Sequence, residues 1–157
     1  MKAYRALENA LGGETLARVL VIDDDEVFVN LMVDALRERG HHVSFALDGH
    51  AGSKLFRSFP FDVVVCDLVM PEQEGLETIR TIRTDNADVA IVAVSGGLAT
   101  APQIDVLHIA SQFGADLTLR KPFKLRQLTA AVDEALVVRS AVRSQKIEQP
   151  GLAGVLT

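Results

Sequence analysis

The chain has 157 residues, the size of one compact domain with modest extensions, and 48% of them are hydrophobic, which is enough for a sizeable core. Its formal charge of −5 disfavours nonspecific binding to nucleic acid or to an anionic membrane, because either would need a basic surface. The single cysteine, Cys66, cannot form an internal disulfide, and residues 1–17 lack the apolar run of a signal peptide. We therefore expect a cytoplasmic protein.

In chain order, apolar runs of strand length alternate with segments of helical periodicity. The N-terminal extension, residues 1–17, contains a candidate short helix over 2–11 that ends at Gly12 and Gly13. The patterns that follow predict strands at 19–22, 43–47, 63–66, 89–94 and 116–119, and helices at about 28–36, 51–58, 76–83, 103–113 and 124–143. This alternation predicts five successive βα units.

Buried parallel strands covered by helices on both faces are the usual product of such an alternation. We predict an α/β fold of the flavodoxin-like (βα)5 type, a doubly wound parallel sheet with strand order 2-1-3-4-5 in a three-layer α/β/α arrangement. The domain spans residues 18–143. Residues 144–157 include Pro150 and Gly151 and are predicted to form a flexible C-terminal tail.

Asp67 follows the third strand directly. An acidic residue there is usually a turn former or a helix cap. Parallel connectivity, however, brings the carboxyl ends of all the strands to one edge of the sheet. Strand one delivers Asp23 and Asp24 to that edge, strand four delivers Ser95, and strand five delivers Lys121. This convergence favours a site over an isolated turn.

Crowded carboxylates repel one another unless a cation compensates, and Mg2+ prefers carboxylates, waters and phosphate oxygens. We predict that Asp24 and Asp67 hold Mg2+, with Asp23 helping directly or through water. Asp67 would be the nucleophile that forms an acyl phosphate. Lys121 would pair with Asp67 and then with a phosphoryl oxygen, while the Ser95 hydroxyl donates to another.

Four motifs together resemble the receiver domain of two-component response regulators. They are Val-Leu-Val-Ile-Asp-Asp-Asp at 19–25, Asp-Leu-Val-Met-Pro at 67–71 with Gly75 following, Val-Ser-Gly at 94–96, and Gly-Ala-Asp at 114–116 leading to Lys-Pro-Phe at 121–123. The resemblance implies Mg2+ as cofactor and a sensor histidine kinase or phosphotransfer protein as phosphodonor. It also implies a cis Lys121-Pro122 bond and a backbone carbonyl ligand from Val69. Beyond self-phosphorylation from a phosphodonor and slow self-dephosphorylation, no enzyme activity is implied.

The sequence departs from the family at two places. Thr118 stands where receiver domains commonly have Tyr or Phe. Ser95 and Thr118 are therefore the switch candidates, and the aromatic ring of the usual switch is replaced by a threonine. Val69 and Gly97 stand where polar side chains often affect attack by water, which predicts slow self-hydrolysis of the phosphoryl group.

We expect a stand-alone receiver that signals through protein contacts on the face of helix four, strand five and helix five. Val137, Val138 and Val142 would supply apolar surface for a partner or a homodimer, with no direct nucleic-acid or membrane binding.

Other polar residues receive plainer interpretations. Asp25 and Glu26 are predicted to cap helix one. Cys66 is interpreted as a small buried hydrophobe. The four histidines show no metal-ligand spacing and are predicted to lie on the surface: His41, His42, His50 and His108.

Three other functions compete with the receiver interpretation. A haloacid-dehalogenase-like phosphatase needs a second Asp two residues after the nucleophile, where Val69 stands. A flavin-binding module needs a phosphate loop after strand one, where Asp23 and its neighbours would repel the phosphate. The remaining alternative is a receiver fold that acts as a phosphorylation-independent scaffold.

Overall fold

A computed structural model describes residues 16–70, 75–96 and 105–148 of the chain. The predicted helix over 2–11 lies outside the described residues. Within them the strands are β1 Arg18–Ile22, β2 His42–Ala46, β3 Val63–Asp67, β4 Ala90–Ser95 and β5 Leu117–Arg120. The helices are α1 Glu26–Glu38, α2 Gly49–Ser58, α3 Gly75–Asp85, α4 Val106–Gln112 and α5 Leu125–Glu148. The predicted order of strands and helices is confirmed.

The strands form one parallel sheet with the order β2-β1-β3-β4-β5, as predicted. In this sheet Ile22 pairs with Cys66, Asp67 pairs with Val94, and Ser95 pairs with Arg120. The carboxyl ends of β1, β3, β4 and β5 therefore lie side by side at one edge. The short β5 is an edge strand.

Two apolar clusters lie on opposite faces of the sheet, because successive side chains of a strand point to opposite sides. Val63 and Val65 of β3 belong to the cluster covered by α1 and α5, which we call the α1/α5 core. Val64 and Cys66 belong to the cluster covered by α2, α3 and α4, which we call the α2/α3/α4 core. Cys66 is fully buried, as interpreted from the sequence.

Helices α1, α2 and α4 begin at aspartates whose side chains accept a backbone N–H of the first turn. Asp25 accepts from Phe28, Asp48 from Ala51 and Asp105 from His108. Such caps satisfy N–H groups that have no partner inside the helix. The predicted capping role of Asp25 is confirmed, and Glu26 lies in the first turn of α1.

Helix α5 continues to Glu148, five residues beyond the predicted end near residue 143. No glycine or proline interrupts it before Pro150. The last turns also carry Arg143 and Lys146, whose side chains approach Asp88 at 3.9 and 4.0 Å. Residues 144–148, which the sequence analysis assigned to a flexible tail, therefore belong to the last turns of α5. None of the helices in the described part of the chain has the length and apolar character needed to span a lipid bilayer.

The prediction that all four histidines lie on the surface is wrong for His41, which is 5% exposed. Its Nδ1 accepts the backbone N–H of Ala17 at 3.2 Å, and its Nε2 lies 3.9 Å from Asp133 of α5. A histidine with a backbone donor and a carboxylate partner can be buried without leaving its ring nitrogens unsatisfied. His42, His50 and His108 are exposed.

Candidate functional site

Asp67 is the last residue of β3 and its side chain is largely buried at the carboxyl edge of the sheet. The chain after it stays close, because the Leu68 N–H donates to Val94 and the Gly75 N–H donates to Leu68. A Cβ on Gly75 would lie 2.0 Å from the carbonyl oxygen of Asp67. Glycine at the start of α3 therefore permits this close return of the chain.

Asp23 and Asp24 follow β1 and lie beside Asp67. Asp23 is 1% exposed and accepts the backbone N–H of Asp25 at 2.9 Å, whereas Asp24 is exposed. One carboxylate oxygen from each of the three residues lies within 4.8 Å of the others. The structure thus brings together the three carboxylates that the sequence analysis placed at this edge.

Lys121, just after β5, bridges two of these carboxylates. Its Nζ lies 3.0 Å from Asp23 Oδ2 and 3.4 Å from Asp67 Oδ2. Its backbone N–H donates to the carbonyl oxygen of Ser95, and the Lys121-Pro122 bond is cis, as the resemblance implied. The pairing of Lys121 with Asp67 was predicted, but the shorter contact with Asp23 was not.

Two aromatic rings lie beside the lysine: Phe123 belongs to the Lys-Pro-Phe motif, but the sequence analysis gave neither ring a role at the site. The Lys121 ammonium lies 4.7 Å from the centroid of the Phe28 ring. The Phe28 and Phe123 ring centroids are 5.4 Å apart. Phe28 lies at the start of the helix predicted over about 28–36, and nothing in its spacing marks it as a neighbour of Lys121.

Burial and charge set the protonation behaviour of the site. Burial, followed by the negative charge of Asp23, raises the pKa of Asp67 to about 6, although Lys121 and the Val69 N–H act in the opposite direction. Burial alone would lower the pKa of Lys121, but its contacts with Asp23 and Asp67 outweigh this and raise it. Lys121 therefore carries its positive charge at neutral pH, whereas the Asp67 carboxyl titrates near pH 6.

Ser95 and Thr118 lie on neighbouring strands but differ in exposure. Ser95 is fully buried at the end of β4, one residue beyond the partner of Asp67. Thr118 is exposed in β5. It lines a cavity of about 390 Å3 between α4 and β5, together with Asp105, Leu107, His108, Ser111 and Arg120.

The donor set suits a hard divalent cation. Three carboxylates offer oxygen ligands, and the exposed Asp24 leaves one side open to water, which matches the preference of Mg2+ for a few carboxylates and several waters. Val69 is 42% exposed and its N–H donates to Asp67 Oδ1 at 3.3 Å. Its carbonyl remains a predicted ligand.

A parallel 2-1-3-4-5 sheet with three carboxylates and a lysine at its carboxyl edge defines the receiver class of signalling proteins. The family model described as the response regulator receiver domain matches residues 19–133, and the chain therefore belongs to this family of two-component systems. Receiver domains bind Mg2+ at an acidic pocket and interact with histidine kinases or phosphotransfer proteins. They are generally not enzymes in the usual sense.

Curated relatives agree with this assignment. The chain is 30% identical over 124 residues to the response regulator receiver protein CpdR of Brucella abortus, covering 78% of this chain and 98% of that protein. It is 37% identical over 136 residues to the regulatory protein VirG of Agrobacterium fabrum, covering 87% of this chain and 52% of that protein. The chain spans between half and three fifths of the length of the first curated relatives that it matches.

Solved structures agree on the fold. A response regulator receiver domain from Clostridium thermocellum aligns with a TM-score of 0.73 and 27% identity, over 81% of this chain and 99% of that one. A CheY-like receiver domain from Methanospirillum hungatei aligns with a TM-score of 0.72 and 22% identity, over 81% of this chain and 98% of that one.

Proposed function

We propose that this protein accepts a phosphoryl group on Asp67 in a Mg2+-dependent reaction, with a histidine kinase or phosphotransfer protein as donor. The observation that carries the proposal is the contact of the Lys121 ammonium with both Asp23 and Asp67, beside the exposed carboxylate of Asp24. A nucleophilic carboxylate, a site for a divalent cation and a fixed ammonium are the parts that phosphoryl transfer needs.

In the proposed reaction an Asp67 carboxylate oxygen attacks the phosphorus of a phosphohistidine. A P–O bond forms, the P–N bond breaks, and the imidazole nitrogen leaves with the electron pair. The product is an acyl phosphate. With a pKa of about 6, Asp67 is mostly ionised at pH 7 and is a competent nucleophile.

The other residues have distinct roles in this proposal. Asp23, Asp24 and Asp67, with the Val69 carbonyl, would hold Mg2+. When bound, the ion would neutralise negative charge on the phosphoryl oxygens. Lys121 moves from the Asp67 carboxylate to a phosphoryl oxygen as charge develops there, and the buried Ser95 hydroxyl donates to another.

We infer that the output is a protein contact on the face formed by α4, β5 and α5. Thr118 is exposed on this face beside the α4/β5 cavity, and Val137 of α5 is 62% exposed. The chain's net charge of −5 argues against direct contact with nucleic acid as the output. Because valine at position 69 and glycine at position 97 provide no polar side chain that could orient a water, the acyl phosphate is expected to outlast seconds in the purified protein.

Incubation with Mg2+ and acetyl phosphate, followed by intact mass measurement, tests the phosphoacceptor. The wild-type protein should gain one phosphoryl mass, and EDTA or Asp67→Asn should abolish the gain. Asp62→Asn is the matched control, because Asp62 lies at the opposite end of the same strand and pairs with Arg18. An adduct that persists in Asp67→Asn, or appears without a divalent ion, contradicts the proposal.

The second candidate is the phosphorylation-independent scaffold. The observation that favours it is the exposed Thr118, which provides no ring to follow a movement of Ser95. Absence of any adduct with acetyl phosphate or phosphoramidate, together with unchanged NMR spectra on adding beryllofluoride, would support the scaffold.

A further inference from the structure

Lys121 has a third neighbour besides its two carboxylates. The ammonium donates to Asp23 and Asp67 on one side, and the Phe28 ring, 4.7 Å from Nζ, lies on another. A positive charge over an aromatic face is attracted by the negative face of the ring, most strongly where water is partly excluded. The Lys121 side chain is 27% exposed, so the ring excludes part of the water that would otherwise surround the ammonium.

The Phe28 ring is itself held in place. Its backbone N–H donates to the capping carboxylate of Asp25, which fixes the first turn of α1 next to Asp23 and Asp24. Its ring packs on Phe123, two residues after Lys121. The contact therefore joins the β1–α1 junction to the segment that follows β5.

This arrangement suits a cation that changes partners. A hydrogen bond to a carboxylate is directional, whereas attraction to a ring face tolerates sideways displacement of the charge. Lys121 lies nearer to Asp23 than to Asp67, and the proposed reaction requires it to reach a phosphoryl oxygen on Asp67. A ring face at this place offers the ammonium attraction at both positions.

We propose that Phe28 is a positioning residue for phosphoryl transfer, whose ring face holds the Lys121 ammonium beside Asp23 and Asp67. The inference rests on the proposed function of Asp67. An aliphatic side chain at position 28 would fill similar space and pack on Phe123, but it would offer the ammonium no negative face. Phe28 acts through Lys121 and does not touch the phosphoryl group.

The test first weakens the negative face of the Phe28 ring while keeping its shape, and then removes the ring. Phenylalanines with one, two and three ring fluorines, introduced at position 28 by nonsense suppression, keep the ring shape and weaken its negative face stepwise. Initial rates of phosphorylation by acetyl phosphate at saturating Mg2+ should fall with each fluorine. Phe28→Leu should be about three- to tenfold slower than wild type, with Phe28→Tyr near wild type.

Phe61→Leu is the matched control, because Phe61 is also half-buried and paired with another ring, Phe56, but packs against the α2/α3/α4 core. It should leave the rate unchanged. Melting curves of each variant separate a loss of folding from a loss of rate. An independent measurement is the ring-current shift of the Lys121 ε-methylene protons in the unphosphorylated protein, which Phe28→Leu should abolish.

The two proposals fail in distinguishable ways. If wild-type protein takes up no phosphoryl group, the proposed function is overturned and the role of Phe28 in transfer with it. If uptake is normal and the rates are indifferent to fluorination and to Phe28→Leu, only the role of Phe28 is overturned. Loss of rate in Phe28→Leu with a flat fluorine series would assign the ring a steric role and would also overturn the proposal.

Discussion

The surroundings of Asp67 disfavour the ionised form of its carboxyl group. Burial and the neighbouring Asp23 carboxylate raise its pKa to about 6, from an ordinary value of 3.8. Lys121 and the Val69 N–H offset this only in part. Because the carboxyl binds its proton more tightly in the folded protein, ionisation of Asp67 favours unfolding; this penalty grows as the pH rises from about 4 to about 6 and is fully present above that.

We therefore expect Asp67→Asn to stabilise the Mg2+-free protein at pH 7.5. The rise in the pKa of Asp67 from 3.8 to about 6 corresponds to ~3 kcal/mol, and residual solvation at the sheet edge reduces the expected gain to about 1–2 kcal/mol. The gain should shrink as the pH falls from 7 towards 4, where wild-type Asp67 is protonated. Urea unfolding across this range measures it, and a gain that increases towards low pH would have the wrong sign.

The residues that carry charge at the site could be predicted because each one lies at or just beyond the carboxyl end of a strand. Parallel connectivity places Asp23, Asp24 and Asp67 at one edge regardless of side-chain detail. Phe28 could not be predicted in this way. It belongs to the apolar side of a helix, and its contact with Lys121 depends on the angle at which α1 packs, which periodicity does not determine.

A second ionic cluster ties α3 and α5 to the amino edge of the sheet, opposite the site. Asp116, just before β5, accepts from Arg83 of α3 and from Arg139 of α5. The same two arginines also donate to backbone carbonyls, Arg83 to Val89 and both to Ala87. One buried carboxylate therefore fixes α3, α5 and the segment before β4.

Removing that carboxylate should be costly. Asp116→Ala leaves two largely buried guanidinium groups without their shared anion, and we expect a loss of about 3–5 kcal/mol. Asp88→Ala is the control, because Asp88 is 42% exposed and its contacts with Arg143 and Lys146 are 3.9 and 4.0 Å long. It should cost less than ~1 kcal/mol. Equal losses in chemical denaturation would show that Asp116 does not anchor these helices.

The same cluster explains what the sequence could not show about α5. Apolar periodicity marks Leu128, Val132 and Ala135, which are buried against the sheet. Beyond them the helix is stabilised by arginines that reach other elements, and an arginine alone does not show what it contacts. The existence of the helix was thus predictable from its apolar stripe, whereas the partners of Arg139 were not, because they lie in distant parts of the chain.

The amino edge and the carboxyl edge of the sheet differ in their balance of positive and negative side chains. At the amino edge two arginines neutralise Asp116. At the carboxyl edge one lysine faces three carboxylates, so charge repulsion remains. A divalent cation bound there would relieve this repulsion and stabilise the folded state as a whole.

Mg2+ should therefore raise the melting temperature. For a dissociation constant of ~1 mM, about 10 mM Mg2+ adds ~1.4 kcal/mol. For a chain of this size, that corresponds to a rise in Tm of ~3–5 °C. Sodium chloride at matched ionic strength should have little effect. Asp24→Asn should diminish the response, while Asp34→Asn, an exposed α1 carboxylate outside the cluster, should retain it. An equal response in both variants would place the cation elsewhere.

The sheet divides the interior into two packing units, and the site touches both. The residues that follow Asp67, Leu68 and Met70, are buried in the α2/α3/α4 core. The aromatic pair beside Lys121, Phe28 and Phe123, packs against the α1/α5 core. A chemical change at Asp67 therefore adjoins both cores, through Leu68 and Met70 on one side and through Lys121 and its two rings on the other. A spectroscopic label on α1 or α5 would report the response of the α1/α5 core, and one on α2, α3 or α4 that of the α2/α3/α4 core.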